Sequence, residues 1–141
     1  MSESDQLQFI DTNVLVYAHD ISAGQKHQRA GELLRGLWLS GTGCLSVQVL
    51  QEFYVTVTQK VARPLSREKA AQIVTDLAQW RIHCPQAGDV LAAIQLQERY
   101  RVAFWDAMVI VSALRLGCQV IWSEDLNPGQ SYETLATRNP F

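Results

Sequence analysis

Short apolar runs alternate with longer stretches of helical periodicity along this chain. Leu7 to Ile10 has the composition and length of a strand, and Asp11-Thr12-Asn13 separates it from a second apolar stretch, Val14 to Ala18. The spacing of Ala30, Leu33, Leu34, Leu37 and Trp38 predicts a helix over Gln25 to Leu39, ended by Gly41-Thr42-Gly43. Cys44-Leu45 is a brief strand, and Ser46 is suited to N-cap the next segment. That segment, Val47 to Lys60, supports two readings. Val55-Thr56-Val57-Thr58 alternates like a strand, yet the segment is long and has no breaker before Arg63-Pro64, so it is read as helix. Ser66 caps a further helix to about Trp80, with Ala70, Ile73, Val74, Leu77 and Ala78 on one face. Ile82 to Cys84 is a strand before Pro85, and Asp89 opens a helix to about Tyr100. Another helix runs from about Phe104 to Leu116 and stops at Gly117. Gln119 to Trp122 is a strand, Asn127-Pro128-Gly129 a turn, and Leu135 to Thr137 a last short strand.

Strands alternating with helices imply an α/β fold with a mainly parallel sheet covered on both faces. Right-handed crossovers gather the strand C-termini along one edge, where ligands of such sheets bind. The 141 residues suit a single domain spanning 1–141, with no repeat, linker or low-complexity tract. A chain of this size buries roughly 68–70% of its unfolded surface, enough for a core of its own.

Hydrophobic residues at 48% and charged residues at 18% describe a globular chain rather than a disordered one. A formal net charge of −2 excludes the broad basic footprint of a strong non-specific nucleic-acid binder. A local patch is still open to it, with Arg63, Arg67, Lys69, Arg99 and Arg101 as candidates that read equally well as solvated charges. Cys44, Cys84 and Cys118 are odd in number and contain no CxxC pair, which argues against a disulfide framework and a thiolate zinc site. They are expected to be buried free thiols in a reducing cytoplasm. Met-Ser-Glu-Ser-Asp-Gln at the N-terminus lacks the basic and apolar regions of a secretory signal, and no run reaches the ~20 apolar residues of a membrane helix. A cytoplasmic protein without membrane attachment is expected.

Four carboxylates stand where strands hand over to helices or lie beside apolar runs: Asp11, Glu52, Asp106 and Asp125. A buried carboxylate without a partner is costly. Asp11 directly follows Phe9-Ile10, at the ligand edge of the first strand or as the N-cap of the next helix. Asp106 lies in the first turn of a helix that is apolar nearly all round, and Arg115 falls on its opposite side. The helix dipole favours an anion there by about 0.3–1 kcal/mol, too little to bury a charge alone. Glu52 is about two turns into its helix and reads on its own as a solvated residue. Asp125 follows the Gln119 to Trp122 strand, where Glu124 competes for the same role and an Asx-turn is the plain alternative. If the four converge, two unit charges 4 Å apart repel by about 4 kcal/mol at an effective dielectric near 20, so a cation is required. All-oxygen ligation suits Mg2+ or Mn2+, which activate water and stabilise the leaving oxygen in phosphodiester cleavage.

Phe9-Ile10-Asp11-Thr12-Asn13-Val14-Leu15-Val16-Tyr17 closely resembles the opening motif of PIN-domain nucleases. Ser46 to Phe53 around Glu52, Phe104-Trp105-Asp106-Ala107, and Trp122-Ser123-Glu124-Asp125-Leu126 come after it in the family's order. The closest class looks like the VapC toxins of bacterial toxin–antitoxin pairs. The resemblance implies a three-layer α/β/α sandwich with a five-stranded parallel sheet and Mg2+- or Mn2+-dependent endoribonuclease activity on RNA. It assigns Asp11, Glu52, Asp106 and Asp125 to the acidic metal site. Thr12, Asn13 and Ser123 become groups that orient carboxylates or water. It also implies a homodimer and an antitoxin protein that occupies the active-site groove.

The alternative is a PIN-like module that binds RNA or a protein partner without cutting; the intact acidic set argues against it, because clustered negative charge opposes phosphate binding. A receiver-like domain phosphorylated on an Asp lacks the early acidic pair and the late lysine such a domain needs. His19, His27 and His83 are not paired at ligand spacing; His19 and Asp20, just past the first motif, are candidates to line the cleft but read first as surface residues. The four Trp residues read as core, with Trp105, beside Asp106, the one considered near substrate.

Overall fold

The structure is a computed structural model that describes residues 6–141; the first five residues, part of the polar N-terminal stretch, lie outside the described residues. Strands β1 (Gln8–Ile10), β2 (Gly43–Ser46), β3 (Arg81–His83), β4 (Val120–Trp122), β5 (Ser131–Tyr132) and β6 (Leu135–Arg138) form one sheet. Helices α1 (Thr12–His19), α2 (Gln25–Ser40), α3 (Val47–Gln59), α4 (Arg67–Leu77), α5 (Ala87–Tyr100) and α6 (Phe104–Arg115) connect them. The strand order is β3-β2-β1-β4-β6-β5. The first five of these run parallel, as expected, and β5 adds a short antiparallel edge paired to β6 through Ser131↔Ala136 and Tyr132↔Leu135.

The chain moves outward from β1 to β2 to β3 and then crosses back to place β4 on the other side of β1. Right-handed connections put α1 to α4 on one face and α5 and α6 on the other, and α1 packs on α2 and α3 while α5 packs on α6. The result is a three-layer α/β/α arrangement. Its topological switch point lies between β1 and β4, where the register aligns Ile10 with Trp122. The residues that leave these strands, Asp11 and Ser123, therefore emerge side by side.

The ambiguous stretch is α3. Val49, Phe53 and Val57 are fully buried at helical spacing, whereas Val55 is exposed; an alternating strand would put Val55 on the same face as Phe53 and Val57. Ser46 caps it as expected, its Oγ accepting from the Val49 amide at 3.2 Å. Helix α4 ends at Leu77, short of Trp80, because the chain turns there and lays the indole over β2. A Cβ on Gly43 would stand 2.4 Å from that ring, so this close approach requires glycine. Helix α5 begins two residues before Asp89, which instead closes a capping box by accepting from the Gln86 amide at 2.9 Å.

Three expectations need correction. Cys84 is exposed; only Cys44 and Cys118 are buried thiols. Trp38 and Trp105 are exposed rather than core, at 43% and 64%. His19 is not a free surface residue: its Nδ1 lies 2.9 Å from the Leu15 carbonyl and its ring meets Phe53 edge-on.

Candidate active site

Asp11, Glu52, Asp106 and Asp125 line one cleft of about 580 Å³ along the C-terminal edge of the sheet. Thr12 and Asn13 line it too. Asp11 is both candidate ligand and N-cap, so the two roles its sequence position suggests are compatible. Its Oδ1 accepts from the Thr12 amide at 2.8 Å, and its Oδ2 accepts from the Ser123 hydroxyl at 2.8 Å. Its backbone amide continues the β1–β4 ladder to the Trp122 carbonyl at 3.0 Å. The side chain is buried, and burial pushes its pKa up to about 6 against the opposing pull of the Ser123 and Thr12 hydrogen bonds. The charges of Asp106 and Glu52 push the same way as burial.

Asn13 joins the two ends of the site. Its Nδ2 donates to Asp125 Oδ2 at 3.0 Å and to Asp11 Oδ2 at 3.4 Å, while its Oδ1 accepts from the Glu124 amide at 3.1 Å. Ser123, fully buried, accepts at Oγ from the Asp125 and Leu126 amides at 3.1 and 3.3 Å. This Asx-and-serine scaffold turns Asp125 into the cleft. Glu124 points elsewhere, to Lys26 Nζ at 2.6 Å, which decides between the two adjacent acids in favour of Asp125 as the cleft residue.

Glu52 is exposed and is oriented by two neighbours. Thr12 Oγ1 donates to its Oε1 at 3.3 Å and Gln48 Nε2 donates to the same atom at 3.1 Å. The same Gln48 amide donates to the Trp105 carbonyl at 3.3 Å, which ties α3 to the start of α6. Asp106, partly buried in the first turn of α6, has its pKa raised by burial and by the charges of Asp125 and Glu52. No side chain caps that helix, so the anion and the open N-terminal amides are left to complement one another.

Gln48, Asp20 and Lys60 also line the cleft; of the three only Asp20 is marked by the sequence, and it is buried in the cleft wall rather than on the open surface. Gln48 was findable, since it precedes Glu52 by one helical turn on the same face. Lys60 was not, because its place depends on how the end of α3 folds around the opening. Among the described residues lining the cleft, Lys60 is the only lysine or arginine. Arg63, Arg67, Lys69, Arg99 and Arg101 are exposed outside it.

The donor set is entirely oxygen, which fits a hard divalent cation. Among the described residues, no three acidic, histidine or cysteine side chains stand close enough to hold an ion in this conformation. The carboxylates are spaced around the cleft, with the Asn13 amide between Asp11 and Asp125.

Fold and cleft together define an α/β domain with an acidic site at the β1/β4 switch point. The chain belongs to the PIN domain family, whose model matches residues 9–129. Its fold is similar to that of VapC20 of Mycobacterium tuberculosis, a toxin that cleaves the sarcin–ricin loop, with TM-score 0.60, 18% identity, and coverage of 81% of this chain and 86% of that one. It is also similar to a chain of a toxin–antitoxin complex from Klebsiella pneumoniae, with TM-score 0.68, 14% identity, and coverage of 95% and 98%. A third similarity is to VapBC2 of Rickettsia felis bound to a DNA fragment from its promoter, with TM-score 0.65, 16% identity, and coverage of 94% and 98%. No curated protein matches the chain.

Proposed function

We propose that this chain is a Mg2+- or Mn2+-dependent endoribonuclease and the toxin of a type II toxin–antitoxin pair. The observation that carries the reading is the arrival of Asp11, Glu52, Asp106 and Asp125 from four separate segments in one cleft. Burial and mutual charge raise the pKa of both Asp11 and Asp106, a cost that a bound cation would offset. Membership of the PIN family and the fold shared with VapC toxins support the same conclusion.

In this reading Asp11 and Asp106 are the principal ligands, with Glu52 and Asp125 completing the shell directly or through water. The bound ion supplies charge neutralisation and lowers the pKa of water for attack on a phosphodiester. Asp11 is held in one rotamer by Ser123 and the Thr12 amide, which would orient it towards an ion. Thr12 and Gln48 hold Glu52 at the cleft wall, where its free oxygen is placed to accept a proton from water. Asn13 keeps Asp125 and Asp11 in fixed relation. A homodimer is expected; Val90, Leu91 and Ile94 form an exposed apolar strip on α5 suited to a second copy. Among the described residues no helix is long and apolar enough to cross a membrane.

The purified protein should cut RNA with Mg2+ or Mn2+ and stop with EDTA. Asp106→Asn should fold normally and lose cleavage; full activity in that variant refutes the assignment. Expression should arrest growth, and the product of the neighbouring open reading frame should relieve it. Absence of arrest removes the toxin role but leaves the nuclease chemistry standing.

A further inference from the structure

We infer that Trp105 is the base-stacking platform of the cleft, receiving an unpaired nucleobase next to the bond that is cut. The inference rests on the nuclease reading for the identity of the ligand, and on geometry for the site. Trp105 is 64% exposed, although a large indole is among the residues that gain most from burial. It lines the same cleft as the four carboxylates and immediately precedes Asp106 on α6. A base on its face and a phosphate held at the acids therefore occupy the same cleft.

The indole is held from behind. Phe104 meets it edge-on with ring centroids 5.2 Å apart, and the Trp105 carbonyl is fixed by the Gln48 amide at 3.3 Å. A ring presented from a rigid backbone loses little entropy on binding, which is the property that makes aromatic platforms effective. The rest of the lining supports a nucleic-acid strand over an apolar peptide. Lys60 supplies the one cationic group among the described lining residues, away from the helix that carries Trp105, and Thr56, Ser22 and Tyr17 add hydroxyls. A strand thus finds a metal-ready acidic centre for the reacting phosphate, a stacking face for a base, and a cation for a further phosphate. Stacking on a protein ring requires a base out of its helix, so the site favours unpaired RNA over duplex.

The test is a fluorescence titration with a short unpaired RNA of randomised sequence in Ca2+, with dye-labelled RNA anisotropy alongside. The RNA should quench wild-type tryptophan emission, and the quench should vanish in Trp105→Phe. Affinity should fall roughly 5- to 150-fold in both Trp105→Ala and Trp105→Leu, and much less in Trp105→Phe, because an apolar side chain without a π face does not stack. Thermal melts of the variants should match the wild type, the ring being solvent-exposed. The same RNA annealed to its complement should bind more weakly.

Unchanged affinity in Trp105→Ala, a quench that persists in Trp105→Phe, no RNA binding at all, or Trp105-dependent binding of a protein partner alone would overturn the inference. Cleavage in Mg2+ or Mn2+ separates the two claims. RNA that is cut equally well by Trp105→Ala overturns the stacking role and leaves the nuclease intact. Trp105-dependent binding without cleavage by the wild type does the reverse.

Discussion

Replacing Asp11 by Asn should stabilise the metal-free protein while abolishing its activity. The Asp11 carboxyl is raised from 3.8 to about 6, about two units. At 1.36 kcal/mol per unit, holding it ionised in the folded state costs on the order of 3 kcal/mol at neutral pH. The amide removes that cost but changes the hydrogen bonds. Its Oδ1 still accepts from the Thr12 amide, but its Nδ2 meets a Ser123 Oγ that already accepts from the Asp125 and Leu126 amides and that loses the acceptor for its own proton. The Asn13 Nδ2 also faces another donor. Charging about 1 kcal/mol for each of the two mismatches leaves a net gain of about 1 kcal/mol, or a few degrees in Tm. Because the folded pKa lies above the unfolded one, the protonated group's contribution to stability is complete below about 3.8 and disappears as pH rises through about 6. Stability of the wild type relative to Asp11→Asn should therefore decline across that window. The raised pKa of Asp106 has the same sign but is present in both proteins and largely cancels in the difference. Urea melts in EDTA from acid to neutral pH measure this directly. A variant less stable than the wild type at neutral pH, with a difference that does not vary with pH, refutes the reasoning. Added Mn2+ should restore stability to the wild type and not to the variant.

The same geometry sets expectations for four other positions. Asp125→Asn should lower cleavage at least tenfold while Glu124→Gln leaves it nearly unchanged, since Asp125 lines the cleft and Glu124 pairs with Lys26; a reversed order in nuclease assays contradicts the assignment. Ser123→Ala strands the Asp125 and Leu126 amides and removes a donor to Asp11, so urea denaturation should show a loss of about 2–3 kcal/mol. Lys60→Ala should weaken RNA binding and reduce the slope of log K against log salt by about 0.7, as expected for one lost phosphate contact to a single strand. Gly43→Ala, which forces a Cβ against the Trp80 ring, should cost about 1–3 kcal/mol of stability without touching cleavage.

The parallel sheet and the order of its helices were legible because short apolar runs and helical faces alternate without interruption. The edge strand β5 was not: Ser131–Tyr132 is too short to alternate, and only its pairing with β6 makes it a strand. The end of α4 was hidden because Ala78 has good helix propensity, whereas the structure spends the next residues on packing Trp80 against Gly43. Asp11 and Asp106 stood out from local sequence alone, one at a strand end and one in an apolar helix. Glu52 and Asp125 gained weight from the order of the motifs, and the cleft now gathers them with the first two. What pattern cannot show is how exposed a side chain becomes. Trp105 stands among apolar neighbours and only its place beside Asp106 hinted at the site; the three-dimensional path of α6 is what leaves it exposed in the cleft.

The central claim is that the acidic cleft holds a divalent cation. Calorimetric titration of Mn2+ into wild-type protein and into Asp106→Asn at neutral pH tests it most directly. Saturable binding by the wild type, weakened at least tenfold in a variant whose circular dichroism and melting are those of a folded protein, is the expected result. No binding by the wild type, or equal binding by the variant, would contradict it.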